Sequence, residues 1–311
     1  MRALVTGATG LIGRRLVRKL QRPLVLSRDP VRAACLVPEA EIHRWSPESS
    51  EPSLEALGRV DVVFHLAGEP VAEGRWSTPK KARIIDSRVV GTRRLVAGLA
   101  RLEQRPGVLV AASAVGYYGN QADRVLDEDS PPGDGFLADV CVAWEREAMK
   151  ARDLGVRVVC ARMGIVLARG GGALGRMLVP FRLGLGGRLG CGRQWMSWIH
   201  LDDVVGLLIH AGVASDIQGP INVVGPSPVT NGEFTHALAA AVGRPALLPL
   251  PEPILRLLFG EKSEMLLDSQ RVNPAVAERS GYRFRHSEIS GALRELVGGV
   301  CGRDRFGRAG V

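Results

Sequence analysis

Long apolar runs are missing from this chain of 311 residues. No stretch reaches the length of a membrane span, so no membrane partner is expected. A strand-like run begins at position 2, which leaves no room for a signal peptide. Cysteine is sparse: residues 35, 141, 160, 191 and 301 form no C-x-x-C pair and no even framework. That excludes a disulfide scaffold and a structural zinc site, and it suits a reducing, cytoplasmic setting. Lysine supplies only five of the 41 basic residues. The net charge is +9, yet the arginines are scattered and no nucleic-acid reader motif accompanies them, so no nucleic-acid partner is expected. Part of the charge suits a polyanionic small molecule. His200 and Asp202 stand without a Glu or His at ligand spacing, so no metal is expected. No internal repeat is present. What remains is ample apolar content, 46%, for one large domain or two that share an interface.

The first twenty residues, MRALVTGATGLIGRRLVRKL, organise the rest. Arg2 to Thr6 reads as a buried strand. Gly7, Gly10 and Gly13 follow as G-x-x-G-x-x-G, and Leu11, Ile12, Leu16, Val17 and Leu20 then recur at helical spacing. Strand, glycine turn and helix together form a dinucleotide cradle. Gly7 allows the tight turn, Gly10 lets a pyrophosphate approach the backbone, and Gly13 permits close helix packing. Thr9, Leu11 and Ile12 complete the turn, and the N–H groups of the helix start face the phosphates. The second strand, Pro23 to Ser27, ends at Ser27-Arg28-Asp29. A guanidinium beside a hydroxyl at this position suits the 2′-phosphate of NADP(H) rather than the ribose of NAD.

Strand-like runs recur at 41–45, 61–66, 108–112, 156–161 and 221–224. Helical spacing lies between them, chiefly at 79–102 and 136–152. Alternation of this kind predicts an α/β, Rossmann-type doubly wound parallel sheet. The ends of the strands at 6, 27, 66, 112 and 161 then share one edge, where a dinucleotide and a small-molecule substrate meet. The expected division is a dinucleotide-binding domain over 1–167, with contributions from about 198–225. A smaller, discontinuous substrate region spans 168–300, its glycine-rich start read as connectors, and a disordered tail spans 301–311.

Several segments carry a resemblance: TGATGLIG at 6–13, DVVFHLAG at 61–68, SRVVGT at 87–92, ASAVGYYG at 112–119 and WIHLDDV at 198–204. With these the chain resembles the extended short-chain dehydrogenase/reductases of the NAD-dependent epimerase/dehydratase family. RWSTPKKARIIDSRVVGT, MGIVLARGGGAL and LVPFRLGLGG are similar to its atypical subgroup of nucleoside-diphosphate-sugar-epimerase-like proteins. From about residue 245 the chain resembles a module of unassigned function appended in that subgroup. The resemblance implies contacts to the cofactor from Leu66, Ala67 and Gly68, from Arg83 and Arg88, and from Arg162, Gly164 and Val166. It also implies a homodimer through the two long helices, and a sugar nucleotide as one candidate substrate.

The family's chemistry rests on Tyr-x-x-x-Lys on the helix after the serine strand, and that motif is missing. Leu137 stands where Tyr would be and Cys141 where Lys would be, which places Cys141 beside the nicotinamide. Arg88 replaces the usual Asn. Ser113 (or Ala114, by a shift of one) remains to orient a substrate oxygen, and Tyr117 or Tyr118 is within reach as the proton donor. Two functions follow: an oxidoreductase or epimerase acting at a carbinol or carbonyl carbon, or a non-catalytic NADP(H)-binding sensor.

Overall fold

Seven short strands, none longer than seven residues, build one parallel sheet. In a computed structural model that describes residues 1–298 they are β1 (Ala3–Thr6), β2 (Leu24–Ser27), β3 (Glu41–Arg44), β4 (Val62–His65), β5 (Val108–Ala114), β6 (Arg157–Met163) and β7 (Gly219–Val223). The expected tail at 301–311 lies outside the described residues. Strand order is β7-β6-β5-β4-β1-β2-β3, and every neighbouring pair is parallel. The order reverses between β1 and β4, and a crevice opens beyond the strand ends at such a switch point.

The helices that matter are α1 (Leu11–Val17), α2 (Pro30–Leu36), α3 (Thr78–Ala100), α4 (Phe136–Met149), α5 (Gly172–Arg182), α6 (Leu201–Val213), α7 (Asn231–Val242), α8 (Glu252–Phe259) and α9 (Ile289–Gly298). They cover both faces of the sheet, which is why the inner strands read as continuous apolar runs. Val5, Val25 and Phe64 pack under α1 and α6 on one face. Leu4, Val63 and Leu109 pack under α3 and α4 on the other. Each such side chain contributes about 1.5–3 kcal/mol by leaving water, which lets strands of four residues persist.

The glycine-rich stretch after residue 168 is not all connector. Leu174, Leu178 and Phe181 fall at i, i+4 and i+7 and are buried against Trp198, Phe234 and Leu238. That burial outweighs the helix cost of Gly175 and of Pro180 in the last turn. The pairs Ile165–Ala168 with Trp198–His200, Trp195–Met196 with Val229–Thr230, and Val125–Leu126 with Arg271–Val272 were also missing from the sequence reading. Ladders of two to four residues carry too little alternation to be read. At α7 the capping box between Thr230 and Glu233 is present as its spacing requires. The C-terminal segment returns to the first core, where Ala277 is fully buried and Val276, Tyr282 and Phe284 pack beside it.

Candidate dinucleotide and substrate site

The chain leaves β1 through Gly7, whose φ is +70°. A Cβ there would lie 2.6 Å from the Leu66 carbonyl oxygen, and one on Gly13 would lie 2.3 Å from the Gly7 oxygen. Both glycines are therefore demanded by the protein's own backbone, Gly13 because α1 sits on the Gly7–Ala8 turn. Gly10 differs. Its N–H donates to Gly7 O at 3.0 Å, and an added Cβ would meet nothing but that oxygen, at 3.3 Å. Internal packing demands a missing side chain less there than at Gly7 and Gly13, and the exposed Gly10 backbone is open to close approach. No side chain caps α1 and its first turn holds no acidic residue, which leaves its N–H groups aimed at an anion. Thr9, Leu11 and Ile12 are half-buried around the turn. The Leu11 side chain lies under Gly171 and Gly172.

At the end of β2, Ser27 Oγ donates to Asp29 O (3.0 Å) and Asp29 accepts from Arg32 N (2.9 Å), so both side chains are used locally. Arg28 stays exposed, with Glu48 at 3.5 Å. At the end of β4, Ala67 N donates to Thr6 Oγ1 (3.1 Å). That hydroxyl is 2.8 Å from His65 Nδ1, and His65 Nε2 is 3.0 Å from Thr92 Oγ1, which also accepts from Trp144 Nε1 (2.9 Å). A buried polar chain thus joins the crevice floor to α3 and α4. Burial pushes the His65 imidazole down to about 4. Beside Gly68 lies the Arg88 guanidinium, where a Cβ would come within 3.1 Å of it. Arg88 donates to the Glu69 and Ile84 carbonyls and stacks 5.0 Å over Trp144. Burial pushes its guanidinium down. Lys80 bonds Glu69 at 2.7 Å and holds that carboxyl below its usual range. Arg83 is exposed, 3.8 Å from the same carboxylate.

Beneath the end of β5 lies a cluster that the sequence reading missed. Ser113, 3% exposed, donates from Oγ to Glu145 Oε1 at 2.6 Å. Arg162, its neighbour across β5–β6, forks the same carboxylate through Nε and a terminal nitrogen, both at 2.9 Å. Arg162 also donates to Tyr118 Oη (3.0 Å) and Glu128 O (3.2 Å). Tyr118 is fully buried, 2.7 Å from Asn222 Oδ1, and burial pushes its phenol up to about 12. Tyr117 is half-buried and lies 3.5 Å over the Arg162 guanidinium. Arg162 was expected against the cofactor. Its side chain turns instead into this cluster, because a guanidinium so deeply placed needs a carboxylate partner. Cys141 is buried next to Ser113, and burial pushes its thiol up to about 11. Leu137, Cys141 and Glu145 follow one another at i, i+4 and i+8 on α4. That spacing was the available signal for Glu145.

Gly164 passes under the Ser197 carbonyl, where a Cβ would stand 2.3 Å away, and donates to Val223 O (3.0 Å). Val166 is half-buried and packs on the first core. His200 caps α6 by accepting from Asp202 N (3.1 Å). Its ring stacks on His286 with centroids 3.7 Å apart. The structure therefore brings His286 and Glu295 to His200, which sequence spacing concealed. Ring lone pairs lie in the ring planes, so stacked imidazoles do not converge on one ion. The pair instead clasps the C-terminal segment, whose His286 also bonds the fully buried Asp203 at 3.0 Å.

A profile of the NAD dependent epimerase/dehydratase family matches residues 3–242, and one described as a domain of unknown function (DUF1731) matches residues 250–296. The epimerase family protein Mb2239 of Mycobacterium bovis is 46% identical over 290 residues, 93% of this chain and 95% of that one. The crystal structure of human epimerase family protein SDR39U1 (isoform 2) with NADPH superposes with a TM-score of 0.85 at 36% identity, covering 96% of this chain and 99% of that one. A nucleoside-diphosphate sugar epimerase from Corynebacterium glutamicum superposes with a TM-score of 0.77 at 34% identity, covering 96% of this chain and 58% of that one. The glycine cradle, the parallel sheet and these matches agree: the chain belongs to the NAD dependent epimerase/dehydratase family.

Proposed function

We propose that this protein binds NADP(H) and acts as an oxidoreductase or nucleotide-sugar epimerase at a carbinol or carbonyl carbon. One observation carries the reading: Gly10 is the exposed and least crowded glycine of the turn, an added Cβ meeting only the Gly7 oxygen at 3.3 Å, while Gly7 and Gly13 shape the turn around it. The residues present fit the cofactor, since open N–H groups at α1 suit a pyrophosphate and the exposed Arg28 suits a 2′-phosphate. The NADPH in the human relative supports the same choice. When bound, NADP(H) supplies or accepts a hydride.

The chain's own groups then handle the oxygen. Tyr117 is the proton donor, and the Arg162 cation under its ring takes the electrostatic part that Lys takes elsewhere in the family. Ser113 gives its own proton to Glu145 and so presents lone pairs to a substrate hydroxyl. Arg88, Gly68, Gly164 and Val166 shape the nicotinamide end. We read the protein as cytoplasmic, its four described cysteines being unpaired, and as a homodimer through α3 and α4, whose outer faces show Ile85 and Val142. Among the described residues no helix is long and apolar enough to cross a membrane.

A second reading, binding without turnover, is favoured by Leu137. A Cβ on Gly116 would come within 3.3 Å of its side chain, so an apolar group stands where the family's tyrosine would be. Turnover separates the two. NADPH labelled at the nicotinamide C4 passes its label to a member of a carbonyl panel if the protein is a reductase, and sugar nucleotides incubated with NADP+ yield their epimers if it is an epimerase. Tight NADPH binding with neither transfer nor epimerisation leaves the sensor reading alone.

A further inference from the structure

The exposed apolar side chains of this protein are concentrated. Leu257 is 80% exposed, Leu247 77% and Leu183 68%, and Val179, Leu185 and Leu258 each exceed half. They come from two stretches: the end of α5 with the loop behind it, and residues 247–258 leading through α8. Backbone hydrogen bonds join the stretches, from Leu248 N to Gly186 O (3.1 Å) and from Leu250 N to Arg188 O (2.9 Å). A cavity of about 150 Å³ opens at the junction, walled by Phe181, Leu185 and Leu248. An adjoining groove of about 500 Å³ is lined by Arg188, Arg193, His236 and Leu247. Thr235 lines both, so apolar and cationic surfaces are continuous.

The charge of this face is mainly positive, since Glu252, the one acidic residue of α8, is paired with Arg256. Residues 169–201 contain five arginines and no Asp or Glu. Arg182, Arg188, Arg193 and Arg244 are exposed, and none has an acidic partner among the described residues; the nearby ion pairs involve Arg176 and Arg256. An apolar patch of this kind marks an interaction surface. A second copy seated face to face would bring like charges together, which opposes self-association. An anionic bilayer meets both features: leucines enter the boundary between headgroups and acyl chains, and arginines meet the phosphates.

We propose that the face formed by the end of α5, residues 247–250 and α8 docks on the surface of an anionic phospholipid bilayer. The contact is peripheral. It departs from the sequence expectation of no membrane partner, because leucines dispersed over some eighty residues never form a long apolar run.

Flotation of the full chain with vesicles tests this. Wild type rises with phosphatidylglycerol/phosphatidylcholine vesicles at low salt and stays down with phosphatidylcholine alone. Leu257→Glu with Leu258→Glu, and separately Arg188→Glu with Arg193→Glu, each weaken partitioning about tenfold or more. Val31→Glu, on the exposed surface of α2, floats like wild type. NADPH binding by each variant reports an intact fold, and the serine versions of the leucine changes serve where glutamate prevents folding. Three outcomes overturn the proposal. Wild type fails to float, or both double variants float undiminished, or light scattering shows a dimer that Leu257→Glu dissociates, which assigns the face to a second copy. None of them bears on NADP(H) binding.

Discussion

Ser113 Oγ stands 2.6 Å from Glu145 Oε1, one helical turn beyond Cys141 on α4. The helix that lacks Tyr-x-x-x-Lys still sends a charged group under the end of β5, and Arg162 holds that group in place with two bonds. The polar group that α4 offers to this site is thus Glu145, held in the interior.

Glu145→Ala leaves the buried Arg162 guanidinium without its counter-charge. A loss of about 3–5 kcal/mol is expected, because removing one partner of a buried ion pair strands the other. Chemical denaturation of Glu145→Ala, Arg162→Met and the double variant measures it. The double variant recovers a large part of the loss if the stranded charge is the cause.

The two glycines of the turn respond differently. Gly13→Ala drives a Cβ into the Gly7 carbonyl and costs stability on the order of 1–3 kcal/mol, as overpacking does. Gly10→Ala meets only one oxygen at 3.3 Å, so its melting temperature falls less than that of Gly13→Ala. NADPH affinity in Gly10→Ala nevertheless falls about tenfold or more, since the methyl occupies the pyrophosphate's approach. Equal losses of stability in the two variants would remove the argument.

On the proposed reading, Arg28→Glu exchanges the guanidinium that would meet the 2′-phosphate for a repulsive carboxylate. Nicotinamide fluorescence titration should show NADPH binding weakened about tenfold or more, with NADH much less affected. Arg28 is exposed and its contact with Glu48 is long, 3.5 Å, so thermal stability is expected to change little.

Acid should loosen the crevice floor through His65. Its folded-state value, about 4, lies below that of an unfolded histidine, near 6.5. As pH falls below about 6.5 the unfolded chain takes up a proton that the folded chain refuses. Stability present above that pH is therefore lost on the way down, by about 3 kcal/mol at pH 4 from this group alone. Denaturant titrations of wild type and His65→Asn across pH 7 to 4 isolate the share, and parallel curves would assign the acid sensitivity to other groups.

The dinucleotide half of the fold is legible from local signals. Gly7, Gly10 and Gly13, the apolar runs and the small residues Ala67 and Gly68 are local signals. Period, turn chemistry and helix start each act within a few residues, so a parallel sheet with a glycine cradle was legible before any contact was known. The helix α5 was not, because Leu174, Leu178 and Phe181 outweigh glycine and proline only when Trp198 and Phe234 arrive to bury them. Arg162 could not be separated from a cofactor ligand either, since its direction is set by Glu145 on another element. The meeting of His200 with His286, and of the leucines at 183–185 with those at 247–258, likewise depends on how distant segments fold back. These relationships arise in the folded chain alone, because burial and charge pairing are properties of neighbours in space.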